Sequence, residues 1–279
     1  MGALLLRNIK LYFANIPSVI ISCLGALISF FIYIGFLKEN LLSAWQHVAN
    51  ATEILDLWIM AGITAITAIT TSFQALGQMI KDKEKKIAAD ISLTDLTWIR
   101  QNFAYVFSSC LVSILMQIIT LLVMGGYFKL VDKITLPFQS YPGLIIFIVV
   151  GAIVATLLNM LIIFLIHSTT TFTRVAAIIS AVSGFAVGAY VPYGALSAPA
   201  QNLVKWVPNS YEAAGLRSLL LDNMIKEEDN GHISEYLGIH FKLNGHQLSE
   251  LEGLYLMLGL SLILACIVVG VLLISKRRD

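Results

Sequence analysis

Charge is scarce in this chain. Asp, Glu, Lys and Arg make up 13% of its 279 residues, about half the share of an ordinary soluble domain. With 58% of residues hydrophobic and a mean hydropathy of +0.82, the composition excludes a water-surrounded globule. Cysteine is scarce too. Cys23, Cys110 and Cys266 all lie in apolar stretches and are expected to pack as small hydrophobes, not to form a disulfide framework. No G-x-x-x-x-G-K-[ST] loop occurs, so nucleotide phosphates have no such cradle. H-E-x-x-H and G-x-S-x-G are missing as well, and the spacing of His232, His240 and His246, with no cysteine near, reads as solvated loop histidines. No catalytic group, metal or cofactor is expected in the chain itself. No acidic or basic residue falls at the centre of a long apolar stretch, which argues against a proton- or sodium-coupled carrier.

What stands in place of these is apolar length. Six stretches run near Pro17–Leu37, Leu55–Ile80, Phe103–Phe128, Gly143–Ile166, Val175–Leu196 and Leu254–Ser275. Each reaches the roughly 20 residues that a helix needs to cross a hydrocarbon core of about 30 Å. The expectation is an all-α membrane protein, one transmembrane domain over 1–279 with six helices. Basic residues gather between the spans: Arg7 and Lys10; Lys81, Lys83, Lys85, Lys86 and Arg100; Arg174; Lys276, Arg277 and Arg278. These segments alternate as one side of six spans would, and most acids lie on the other. The positive-inside rule therefore puts both termini in the cytoplasm. Abundant Ile, and Lys in excess of Arg, suit an AT-rich bacterial genome, and the membrane expected is a bacterial cytoplasmic one.

Residues 1–16 read as an interfacial helix, with Leu5, Ile9, Tyr12 and Ile16 on one face and Arg7, Lys10 and Ala14 on another. A ragged extension of the first span is the plainer alternative. Pro17 suits the first turn of the helix entering the membrane. Ile20-Ile21-Ser22-Cys23 resembles a lipoprotein cleavage box, but the apolar run continues to Phe36, and cleavage would cut the first span in two.

The segment 81–101 opens on the mixed-charge run Lys81–Lys86. Ser92, with Asp95 three residues on, predicts a helix N-cap. The helix so begun, Ile91–Arg100, carries more apolar surface than a tether needs, and wants either the headgroup layer or a partner protein. Later, 192–253 is long and broken by Pro192, Pro199 and Pro208, a pattern suited to short helices dipping back from the outer surface. Asn209 with Glu212 predicts a helix through about Leu221. Residues 226–231 predict a charged loop closed by an Asn-Gly turn.

Polar and small residues then sort by helical face. Thr64, Thr67, Thr71, Gln74 and Gln78 recur at steps of three and four, so all five share one stripe of the second span. Two amides would be costly against lipid; the stripe faces protein or water, as a cavity lining or a dimer seam. Ser109, Ser113, Gln117 and Thr120 repeat the rhythm in the third span, and Gly151, Ala155 and Asn159 in the fourth. In the fifth, Ala177, Ser180, Gly184 and Gly188 allow close backbone approach, for which ordinary packing is the simpler reading.

An amphipathic N-terminal helix, six spans with both ends inside, a cytoplasmic helix between the second and third, and a broken outer re-entrant segment before the last together resemble the ABC transporter type-2 permease family. Arg7-Asn8-Ile9-Lys10-Leu11-Tyr12-Phe13 carries the likeness locally, as does Pro199 through Val204-Lys205-Trp206-Val207-Pro208-Asn209-Ser210-Tyr211 to Arg217. The chain departs from the family at Ile87-Ala88-Ala89, where a Gly-Thr pair often stands, and at Ile91, where proline is common. The resemblance implies a permease subunit without its own ATPase site, paired with a second permease copy (homo- or heterodimer) and with two ABC ATP-binding subunits that carry ATP and magnesium. It implies no nucleic-acid partner. On that footing Lys83, Asp90, Ile91, Leu93, Leu96, Trp98 and Arg100 would couple to the ATPase. Thr64, Thr67, Thr71, Gln74, Gln78, Ser180, Gly184 and Gly188 would line the substrate path or dimer seam. Pro192, Pro199, Trp206, Pro208 and Tyr211 would form the outer gate. Efflux of drugs, antibiotics or antimicrobial peptides is the expected function, with lipid or polysaccharide as the alternative cargo. A non-transporting immunity or sensor protein, or an intramembrane enzyme, is the alternative function.

Overall fold

A computed structural model describes residues 1–94, 96–137, 141–225, 232–243 and 246–275. Asp95 of the expected cap, the expected loop 226–231 and the basic end Lys276–Arg278 lie outside them. Helix α5, Ala51–Glu84, is the axis. Helices α2 (Ile16–Ser22), α3 (Leu24–Ile32), α7 (Trp98–Val131), α8 (Tyr141–Phe164), α9 (Thr169–Ala186) and α11 (Pro208–Ile225) all pack on it. The most apolar window of α5 is wholly buried. At 34 residues each, α5 and α7 reach about 51 Å, overrunning a hydrocarbon core of about 30 Å by nearly four turns.

A helix can be enclosed on every side only if its polar side chains are satisfied without water. In α5, Thr64, Thr67, Thr70, Thr71 and Ser72 each donate to the carbonyl one turn back, at 2.6–3.1 Å, so their hydroxyls are satisfied within the helix. Neighbouring helices dock on the same stretch. Asn159 of α8 donates to the Ile69 carbonyl and the Ser72 hydroxyl, both at 2.8 Å. Ser113 of α7 donates to the Ala68 carbonyl at 3.1 Å.

Among the described residues, five helical runs are long and apolar enough to cross a membrane: Leu24–Ala44, α5, α7, α8 and, in α13 (Glu250–Ser275), Glu250–Ile274. The first expected span, Pro17–Leu37, is broken. It runs as α2, α3, a π-helical turn at Tyr33–Leu37 and α4 (Lys38–Ala44). Ser22 marks the break, donating its hydroxyl to the Val19 carbonyl at 2.6 Å in competition with the backbone ladder.

The fifth expected span, Val175–Leu196, needs a larger correction. Helix α9 stops at Ala186, so its 18 residues reach only about 27 Å. Gly188 then takes φ +61, a left-handed turn that glycine adopts without a Cβ clash. Val187 before the turn and Ala189 and Tyr190 after it are buried, so this apolar run meets protein rather than lipid.

Helix α1, Gly2–Ala14, lies across the bundle, bent 84° from α2. Asn15 caps the turn, its side chain accepting from the Ser18 amide at 3.2 Å. The packed face is Leu4, Asn8 and Tyr12; the expected Ile16 is instead 66% exposed. The segment before α13 comprises a 3-10 turn at Tyr193–Ala195, α10 (Ala198–Trp206), α11, α12 (His232–Tyr236) and the hairpin of β1 (Lys242–Leu243) with β2 (His246–Gln247).

If polar docking onto α5 orders the bundle, Asn159→Leu should lower the unfolding free energy by about 1–2 kcal/mol. Thermal unfolding in detergent measures this, and an unchanged transition would remove Asn159 from that role.

Candidate functional site

At one end of α5, Asp82 is fully buried. Arg7 of α1 clasps it with Nη1 to Oδ2 at 2.6 Å and Nη2 to Oδ1 at 3.0 Å. The Tyr105 hydroxyl of α7 donates to Oδ2 at 2.6 Å, and Gln78 Nε2 to Oδ1 at 2.8 Å. One carboxylate thus joins α1, α5 and α7, and it holds the Arg7 guanidinium above its ordinary pKa.

Just beyond, Lys86 turns the chain at φ +60 into α6, Ile87–Ser92. The expected helix over Ile91–Arg100 is corrected. Ser92 donates its hydroxyl to the Ala89 carbonyl at 2.6 Å and closes α6 instead of capping a new helix. Thr97 is the cap that starts α7, accepting from the Arg100 amide. Of the expected coupling residues, Leu93 is 87% exposed. Lys83, Asp90 and Arg100 are exposed, and Ile91, Leu96 and Trp98 half-buried. The Lys83 ammonium lies 5.3 Å from the Trp98 ring, which fastens the end of α5 to the start of α7.

The second-span stripe lies within the chain's own bundle. Thr64, Thr67 and Thr71 are buried, Gln74 donates to the Ser18 hydroxyl at 2.9 Å, and Gln78 is engaged by Asp82. On α9, the Ser180 carbonyl abuts Gly25 of α3, and Gly184 faces the Tyr190 ring. Within the single chain these are packing contacts.

Of the residues expected at an outer gate, Pro199 and Pro208 stand in the first turns of α10 and α11, where a missing N–H costs nothing. Trp206 is 84% exposed, while Tyr211 is buried and donates its hydroxyl to the Lys205 carbonyl at 2.8 Å. Pro192 is buried, as is Pro208; Pro199 is exposed.

Helix α11 also carries two charged residues that the apolar pattern concealed. Glu212 and Arg217 are both fully buried. The Glu212 carboxyl occupies the space beside Gly151, midway along α8, where a Cβ would overlap it. Asn209 donates to Glu212 Oε2 at 2.6 Å and to the Gly151 carbonyl at 3.2 Å. The pair read as a capping signal is therefore an interhelical seat. Arg217 reaches the carbonyls of Val187 and Gly188, beyond the end of α9, and of Leu237 and Gly238, beyond α12, at 3.0–3.4 Å. Carbonyls at helix C-termini carry partial negative charge. The Trp58 ring, 5.1 Å away, adds a cation–π contact. The available signal was a mid-span glycine, Gly151, facing an acid spaced to share a helix with Arg217.

A family model described as ABC-2 family transporter protein matches residues 47–275, most of the chain. No curated protein and no solved structure matches it.

Arg7→Ala should cost about 2 kcal/mol, below the figure for a fully buried pair because a third of Arg7 meets solvent. In an Asp82→Asn background the same change should cost far less; equal losses in a double-mutant cycle would show no coupling. Gly151→Ala should destabilise by about 1–3 kcal/mol through overpacking, with much of it recovered by adding Glu212→Ala. A single variant that melts like the parent would unseat the carboxyl from that position.

Proposed function

The chain belongs to the ABC-2 family of transporter proteins, and from that premise we propose that it is the membrane-spanning subunit of an ATP-driven exporter. Members of this family generally work with an ABC ATP-binding subunit. Two such subunits, holding ATP and magnesium, would drive a dimer of this chain with itself or with a related permease. The membrane is the bacterial cytoplasmic one, with both termini inside. The observation that carries the reading is the α5–α6–α7 hairpin: two helices that overrun the membrane are joined by a short loop carrying the exposed Leu93.

Closure of the ATP-binding subunits would press on residues 83–100. Because α5 and α7 run unbroken from that loop through the bundle, a displacement there reaches the outer end of both helices. The Arg7–Asp82 clasp makes α1 move with them. Alternating access then amounts to two packings of the dimer, biased by nucleotide. Along the expected path, Gln74 and Gln78 keep partial exposure. The buried threonines would meet a substrate only if the neighbours of α5 part. The outer gate falls to the turns around α10 and α11. A polar but uncharged stripe suits drugs, antibiotics or antimicrobial peptides as cargo, with lipid or polysaccharide as the alternative.

Membranes containing the chain alone should hydrolyse no ATP, and co-expression with its ATP-binding subunit should give cargo-stimulated hydrolysis. Leu93→Glu combined with Leu96→Glu should reduce that stimulation at least tenfold, because charge replaces the apolar contact. Unaltered stimulation would move the coupling surface elsewhere, and hydrolysis by the purified chain alone would end the proposal.

A further inference from the structure

Where α1 crosses the foot of the bundle, the chain forms a pocket of about 470 Å³, within the roughly 300–1,000 Å³ of small-ligand sites. Its charged lining is Arg7, Lys81, Lys85 and Asp82. Asp82 is fully engaged, both oxygens being taken by Arg7, Gln78 and Tyr105. The Arg7–Asp82 pair cancels in charge. That leaves Lys81 and Lys85, one turn apart at the end of α5, as two positive charges with no ion pair among the described residues. Like charges at this spacing repel. The C-terminal dipole of α5 offsets part of that repulsion, and an anion between them would remove the rest. Asn15 spends its Oδ1 on the Ser18 amide, which leaves its NH2 group as a further donor.

The remaining wall is apolar, with Leu11, Pro17 and Ile87 beside the charges. A phosphate site made for a free ion would be polar on all sides. This one is amphipathic, and it lies at the bend of 84° between a helix lying across the bundle and the first helix of the span, the level of a lipid headgroup. We propose that the pocket binds the phosphate headgroup of an anionic phospholipid, Lys81 and Lys85 meeting the phosphate and Leu11, Pro17 and Ile87 the glycerol and first methylenes. Basic pockets between helices at a membrane face recognise such headgroups by charge. The pocket meets the foot of the expected cargo path at Gln78, and its Lys85 and Ile87 fall in the segment on which the ATP-binding subunits would press, so lipid binding is read on the chain without cargo or ATP-binding subunit.

The test uses the purified full chain in detergent, titrated with phosphatidylglycerol or phosphatidylcholine and read by native mass spectrometry. Phosphatidylglycerol should be retained about tenfold more tightly. Lys81→Gln with Lys85→Gln should weaken that retention about thirtyfold, the effect of two near-surface lysines. Lys129→Gln with Lys205→Gln removes the same charge elsewhere and should leave retention unchanged. Equal retention of the two lipids, or equal loss in the two double variants, overturns the site. Melting of the lipid-free chain is measured with inorganic phosphate as a separate arm. Stabilisation by phosphate without a lipid preference would reassign the pocket to a free ion and overturn the lipid proposal. Should the first double variant unfold, Lys85→Gln alone, an exposed position, should still show about a fivefold loss, and no loss overturns the site.

Discussion

Two buried carboxylates, Asp56 and Asp82, anchor the ends of α5, and the rest of the bundle is arranged around the helix between them. In lipid, apolar faces gain little by leaving one membrane-facing position for another, so polar contacts and close packing must specify which helices meet. Asp56 accepts from the Tyr33 hydroxyl at 2.5 Å and pairs with Lys38 at 3.0 Å. Lys38 also pairs with Asp132 at 2.7 Å, which ties α4 and the end of α7 to α5. Asp82 ties α1 and the start of α7 at the other end. The 26 intervening steps place the two acids about 39 Å apart along the helix, more than a hydrocarbon core of about 30 Å. Both clasps can therefore lie in the interfacial layers, where a charge costs less than at depth.

Much of this arrangement is legible in the sequence. Apolar length alone placed α5, α7, α8 and α13 within a few residues, because nothing but a spanning helix satisfies twenty apolar residues in lipid. The stripe from Thr64 to Gln78 reads in sequence as one face turned away from lipid, whereas the most apolar window of α5 is buried on every side. Its consequence was less visible, since hydroxyls that bond back to their own helix let a polar face pack as tightly as an apolar one. The end of α9 was illegible for a related reason: Val187 to Leu196 is apolar in sequence whether it meets lipid or the side of α5.

The charged contacts were hidden by distance along the chain. Arg7 and Asp82 are 75 residues apart, and Asp82 looks like any acid in the solvated run Lys81–Lys86. Glu212 and Arg217 sit in a helix that carries no span-like hydrophobicity, and what buries them is Gly151 on one side and the ends of α9 and α12 on the other. Local spacing suggested a cap at Asn209 because caps and interhelical seats use the same residue pair.

Those two charges also constrain how α10, α11 and α12 can rearrange. A buried ion rarely adds net stability, but removing its partner is costly. Sliding α11 against α9 would strip Arg217 of the Val187 and Gly188 carbonyls, and sliding it against α8 would drive Glu212 from the space beside Gly151. Helix α11 is thereby locked to α8, α9 and α12, and moves with them as a unit or not at all. Helix α10 carries no buried charge among the described residues, and is held to α11 by the Tyr211 hydroxyl on the Lys205 carbonyl and by buried Val204. Its Gln201 bonds only the nearby Tyr193 and Leu196 carbonyls, and Leu203 and Trp206 are 70% and 84% exposed. Moving α10 about the extended Val207 that separates it from α11 would break that one Tyr211 hydrogen bond and unseat Val204, a smaller loss than uncovering the two buried charges of α11.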